Sequence, residues 1–169
     1  MSNQTNIVKD PSGKKLIITR NFNAPVEKVW QAWTDPDIIL QWIGSDPDGK
    51  GLNAKLNVRI GGTYEIHFMN SDLAEHTCYG VYNDIVEFSR LHFSWRWKSE
   101  PDVESQVSIL LIPAGRQTMM QFEHQGFGYQ SAHSYAEGWK GAFFKLNRAL
   151  KKTDNKMPSE DWPRSSEAN

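Results

Sequence analysis

What most constrains this chain is a change in its hydrophobic period. Leu52, Ala54, Leu56, Val58 and Ile60 alternate with Asn53, Lys55, Asn57 and Arg59. After Gly61-Gly62, Tyr64, Ile66 and Phe68 alternate with Thr63, Glu65 and His67. Successive side chains of a strand point to opposite faces, so each segment buries one face and wets the other. That pattern belongs to an antiparallel sheet covered on one side only. The period then changes. Tyr135, Trp139, Ala142, Phe143, Leu146 and Leu150 share one stripe at helical spacing, predicting a long amphipathic helix over about residues 131–152. Glu137, Lys140, Lys145 and Arg148 fall on its opposite, wet face. The helix is the natural cover for the sheet.

The remaining elements follow from the same rules. Residues 14–22 read as a strand. Pro25 suits the first position of a helix, and Val26, Val29, Trp30 and Trp33 give that helix one apolar face. Asp35 before Pro36 caps a second short helix, which Gly44 ends after Trp42 and Ile43. Further strands are predicted over 77–87, through Leu91, Phe93, Trp95 and Trp97, through Val103, Val107, Ile109 and Leu111, and through Met120, Phe122 and His124. The predicted class is α+β. About seven antiparallel strands form a curved sheet wrapped around the C-terminal helix, with two short helices after the first strand. The domain spans 14–152, with a flexible arm at 1–13 and a polar tail at 153–169.

Charge narrows the functions. The chain has 19 Lys plus Arg against 20 Asp plus Glu, with no long run of one sign. A basic face for nucleic acid is therefore not expected. No segment approaches the ~20 apolar residues of a membrane span, and the polar first residues do not read as a signal peptide. Cys78 is the single cysteine, which excludes an intrachain disulfide. These features predict a cytoplasmic monomer or homodimer. The five His are too widely spaced for a metal pair, so neither a metal nor a cofactor is expected.

Seven Trp and eight Phe must then serve either as core or as the walls of a ligand cavity. Trp30, Trp33 and Trp139 lie on helical core stripes. Trp95 and Trp97 point to one side of one strand and are large for a tight core. With Trp42, Tyr64, Ile66 and Phe68 they are candidate cavity walls. Val107, Ile109, Met120 and Phe122 extend that surface along the strands, and Trp139 and Phe143 extend it along the helix. His124 shares the phase of Met120 and Phe122. It is either a ligand or acid–base group, or an imidazole bonded to a nearby carbonyl. Arg20 shares the inward phase of Leu16, Ile18 and Phe22. It either pairs with an acid such as Asp84 or Glu123, or meets an anionic ligand.

The order of these elements resembles the START-like, or helix-grip, superfamily, which includes the birch pollen allergen and polyketide cyclases. More narrowly the chain resembles the family named after the activator of heat-shock-protein-90 ATPase, in its single-domain bacterial form. The resemblance is carried by Arg20-Asn21-Phe22-Asn23-Ala24-Pro25, by 29–36 (Val-Trp-Gln-Ala-Trp-Thr-Asp-Pro), by Gln41-Trp42 and by Gly61-Gly62-Thr63-Tyr64. Gly80, Leu91-His92-Phe93-Ser94-Trp95 and Gly138-Trp139 continue it. Many relatives have a second aromatic and Gly-Pro after Trp42, where this chain has Ile43-Gly44-Ser45.

The resemblance implies a cavity between the long helix and the sheet that takes a small apolar or aromatic molecule. Two other roles stay open. One is a cyclase or hydrolase acting on polyketide-like substrates, with His124, Arg20 and Tyr64 as its polar groups. The other is a partnership with a heat-shock chaperone whose ATPase it stimulates.

Overall fold

The sheet is built by the predicted alternation, and its register can be followed strand by strand. The computed structural model describes residues 5–9, 15–127 and 134–156. In chain order the elements are β1 (Thr5–Lys9), β2 (Lys15–Phe22), α1 (Val26–Thr34), α2 (Pro36–Ile39), β3 (Lys50–Leu56) and β4 (Thr63–Met69). They continue with β5 (Glu75–Val86), β6 (Arg90–Trp97), β7 (Glu100–Ala114), β8 (Gln117–Gln125) and α3 (Tyr135–Lys156). One antiparallel sheet runs in the order β1-β2-β8-β7-β6-β5-β4-β3.

The inward residues of three central strands face one another in register. Ile18 lies opposite Phe122, and Phe122 lies opposite Ile109. All three are almost completely buried. Trp33 of α1 meets Trp42 edge-on at 4.7 Å and stacks on Phe122 at 6.4 Å between ring centres. Trp139 and Phe143 of α3 lie over Phe122 at 4.6 and 5.0 Å. The helices therefore cover the sheet chiefly through aromatic rings. Each large apolar side chain so buried contributes roughly 1.5–3 kcal/mol.

Three local differences from the sequence reading have physical causes. Among the described residues the sheet has eight strands, because Thr5–Lys9 pairs with β2 from Thr5 opposite Arg20 to Lys9 opposite Leu16. This stretch, read as part of a loose arm, is too short to reveal a period. Its pairing covers an edge of β2 that would otherwise expose unpaired backbone groups. β3 stops at Leu56, so Val58 and Ile60 are not in the strand. The chain turns there through Asn57 N–H to Thr63 O and Gly62 N–H to Arg59 O. A Cβ on Gly62 would lie 2.0 Å from Asn57 O, so only glycine fits the turn. Lys145, expected on the wet face, is buried. Its Nζ donates to Ile43 O at 3.1 Å and Asp46 O at 2.7 Å. A long apolar stem lets the ammonium reach those carbonyls from within the packed face.

The Asp35 cap forms as expected, whereas α2 ends at Ile39 with Leu40 as its C-cap, before the expected Trp42-Ile43-Gly44 end, and Pro25 is the N-cap of α1 and not its first residue. Asp35 Oδ1 accepts from the N–H groups of Asp37 and Ile38 at 2.8 and 3.2 Å. Gly44, at φ +88°, closes the segment after α2. α3 begins at Tyr135 in the described residues and runs to Lys156, past the expected end.

Candidate functional site

The space between α3 and the middle of the sheet is filled. Trp42, Phe122, Phe143, Val107, Ile109 and Met120 are all under 2% exposed. Trp42 is pinned there, its indole N–H donating to Ala32 O at 3.0 Å. Tyr64 and Ile66 border a void of only about 10 Å³ with Trp33, Phe93 and Trp95. A void of that size holds at most one water. These candidates are therefore core residues, because the rings that could wall a cavity meet each other across it.

Open space lies instead at one end of the sandwich. A cleft of about 280 Å³ opens between the first turns of α3, the adjoining ends of β4, β5 and β6, and the lip Ile43-Gly44-Ser45. Four predicted wall residues come together here: Phe68, Trp95, Trp97 and Trp139. Trp95 and Trp97 stand at 88° with centres 5.3 Å apart, and Trp95 and Trp139 at 60° and 5.1 Å. The rings thus form adjoining walls. A strand places Trp95 and Trp97 two residues apart on one side, and register sets Trp97 beside Cys78 on β5.

The sequence reading misses the other lining groups. Asn70 and His76 flank the turn between β4 and β5, with Asn70 Nδ2 and His76 Nε2 3.1 Å apart. Tyr135 accepts a hydrogen bond at its hydroxyl from Trp97 Nε1 at 2.9 Å, tying α3 to β6. Glu137 lines the rim. Gly138 faces open space, since a Cβ there would meet nothing within 4 Å. Only the stripe position of Tyr135 signals any of these in the sequence. The others meet through loops whose geometry no periodicity records.

The lip is held by the buried cation described above. Burial lowers the Lys145 pKa, and Asp46 opposes that shift. Asp46 itself is pulled below the usual carboxylate range, first by the Ser71 and Asp48 amides and then by the Ser71 hydroxyl. Gly141 lets the helix approach, for a Cβ would lie 2.6 Å from Ser45 O.

His124 lies behind the cleft and does not line it. It is fully buried in a directed chain. Trp139 Nε1–H donates to Nδ1 at 2.9 Å, while Nε2 lies 2.7 Å from Ser105 Oγ. An indole can only donate, so Nδ1 is bare and the proton sits on Nε2. Nε2–H then donates to Ser105 Oγ, whose own proton goes to Trp95 O at 3.3 Å. Burial holds the imidazole neutral, with its pKa lowered to about 3. A base that activated Ser105 would need the bare nitrogen on the serine side. Of the two sequence alternatives, neither describes the finding: the ring bonds two side chains, not a carbonyl.

Arg20 is inward and buried, with its guanidinium carbon 5.3 Å from the Phe22 ring centre, and burial lowers its pKa. It does not line the cleft. The acids proposed for it are engaged elsewhere, Asp84 with Arg90 at 2.6 Å and Glu123 with Lys15 at 2.7 Å. Tyr64 donates its hydroxyl to Ser94 O at 2.7 Å, and burial raises its pKa. None of the three polar groups expected to share a pocket lines the cleft. Cys78 is buried, and burial pushes its thiol up, away from reactivity. Among the described residues no three His, Cys, Asp or Glu gather as a metal site. His133 and Trp162 lie outside those residues. No described helix is long and apolar enough to cross a membrane.

Comparison with known structures supports the architecture. A protein from Rhodobacter sphaeroides superposes with a TM-score of 0.75 at 18% identity, over 88% of this chain and 99% of its own. An AHSA1-like protein from Aeromonas hydrophila gives 0.65 at 21%, over 82% and 94%. CalU16 from Micromonospora echinospora gives 0.59 at 26%, over 87% and 83%. No curated protein matches in sequence. The profile described as activator of Hsp90 ATPase homolog 1-like protein matches residues 23–151. With that match over most of its length, and the fold of those bacterial relatives, this chain belongs to the AHSA1 family.

Proposed function

We propose that this protein binds a small apolar or aromatic molecule in the open cleft at the N-terminal end of α3. The observation that carries the reading is the meeting of Phe68, Trp95, Trp97 and Trp139 around unfilled space of about 280 Å³. Rings usually collapse on one another, as they do in the middle of this molecule. Here Trp97 is tied to Tyr135 and Trp139 to His124 by hydrogen bonds, and the space beside the rings stays open. Apolar walls with a few polar groups are the ordinary composition of a small-molecule site. The volume is near the lower end for such sites, so the ligand is smaller than a typical drug.

Gly138 gives the direct test. A Gly138→Leu variant places a side chain in the cleft, its Cβ meeting no atom within 4 Å. Binding of aromatic compounds, followed by the indole N–H resonances of Trp97 and Trp139, should be seen in the native protein and be lost in the variant. Equal binding by the variant, or no binding by either, would overturn the reading. ATPase activation, in the family's description, belongs to the protein after which the family is named.

A further inference from the structure

We infer that the cleft selects a cation: an amine or quaternary ammonium carried on an apolar body. This rests on the cleft reading and adds the charge of its ligand. Three Trp rings border the cleft. Their N–H groups are all withheld from the open space. Trp97 Nε1 donates to Tyr135 Oη, and Trp139 Nε1 donates to His124 Nδ1. Trp95 Nε1 has essentially no exposed surface. What the walls present is ring carbon, and an aromatic face is the negative side of its quadrupole. Trp95 meets Trp97 at 88° and Trp139 at 60°, so the rings bordering the cleft lie in more than one plane. That is the arrangement that attracts an ammonium group.

Formal charge points the same way. Among the described residues, Glu137 is the one Asp, Glu, Lys or Arg on the lining. The opposing influences are the positive end of α3, equivalent to roughly half an elementary charge, and Lys145, whose ammonium is turned to Ile43 O and Asp46 O with Asp46 as its nearby counter-charge. Glu137 stands in the first turn of α3 with a full negative charge. Among the described lining residues the formal charge is therefore negative.

The test uses probes matched in shape. Phenyltrimethylammonium and tert-butylbenzene differ in one central atom and in charge, and benzoate supplies the anion. Each is titrated into the intact protein and followed at the Trp97 and Trp139 indole resonances. The ammonium should bind at least about fivefold more tightly than its neutral isostere, although the isostere is the more hydrophobic. Benzoate should bind most weakly. Glu137→Gln, an isosteric change on an exposed position, should weaken the ammonium about two- to fivefold and leave tert-butylbenzene unchanged. Equal or tighter binding of tert-butylbenzene or benzoate would overturn the charge preference while leaving the cleft as a binding site. No shift with any probe would overturn both.

Discussion

Trp139 Nε1 lies 2.9 Å from His124 Nδ1, and this contact assigns the proton on a buried imidazole. Because the indole is a donor only, the ring must be neutral with its hydrogen on Nε2. A protonated ring would bring two N–H groups against each other in a dry interior. The same contact holds one wall of the cleft in place. A packing residue of the core and a wall of the site are thus joined through one hydrogen bond.

His124 should make stability depend on pH in a defined window. Its folded pKa of about 3 lies below the ordinary value of 6.5. Above pH 6.5 neither state holds the proton, and stability is full. As pH falls further, the unfolded chain takes up a proton that the folded one refuses, so stability declines until about pH 3. Near pH 4 the loss from this residue alone is roughly 3 kcal/mol. Urea unfolding at about pH 7 and pH 4 measures it. A His124→Gln variant should lose much less over the same interval, whatever its starting stability.

Trp139→Phe keeps most of the ring and deletes the donor. His124 Nδ1 then has no partner, at a cost of about 1–3 kcal/mol. Without an N–H facing that nitrogen, protonation is easier, so the His124 pKa should rise. Imidazole resonances followed through an acid titration read that shift directly.

Core and cleft should separate under truncation. Phe143→Ala opens a cavity in the filled middle and should cost about 3–5 kcal/mol by thermal or chemical unfolding. Trp97 is only partly buried, and Trp97→Leu should cost about 1–2 kcal/mol. Ligand binding should show the reverse order. The Trp97→Leu protein should lose affinity for aromatic probes, while the folded fraction of the Phe143→Ala protein should keep it.

Gly138→Ala tests the openness of the cleft by stability alone. Glycine within a helix costs roughly 0.5–1 kcal/mol relative to alanine. No neighbour meets the added methyl, so this substitution should stabilise the protein by about that amount. Gly141→Ala should do the opposite, since its methyl would strike Ser45 O. Comparing the two melting temperatures checks both.

Lys145→Met should loosen the lip. The carbonyls of Ile43 and Asp46 lose their donor, at about 1–3 kcal/mol if they remain dry. Hydrogen exchange in residues 43–49 should quicken in the variant before the sheet is affected.

The architecture was legible because periodicity reports faces. Alternation in β2, β4, β6, β7 and β8, and the stripe on α3, place inward most of the residues the structure buries, although Val103 and Trp97 are only partly buried and Ser94 and Ser105 are buried unexpectedly. The Asp35 cap was legible as local chemistry. β1 was not, since five residues do not establish a period and its place depends on the edge of β2. Lys145 was not either, because a charge on a helix reads as wet unless acceptors from a distant loop come to meet it.

By itself the sequence determined that aromatic side chains face inward from both the sheet and α3. Only the tertiary structure decided which of them meet and which stand apart. A strand pattern gives the side on which a ring lies, but not the distance to the ring above it. Trp42, Phe122 and Phe143 are close enough to fill the middle. Trp95 packs against Trp97 and Trp139 at 5.3 and 5.1 Å, those two are each tied by a hydrogen bond to another element, and the space beside the three rings stays open.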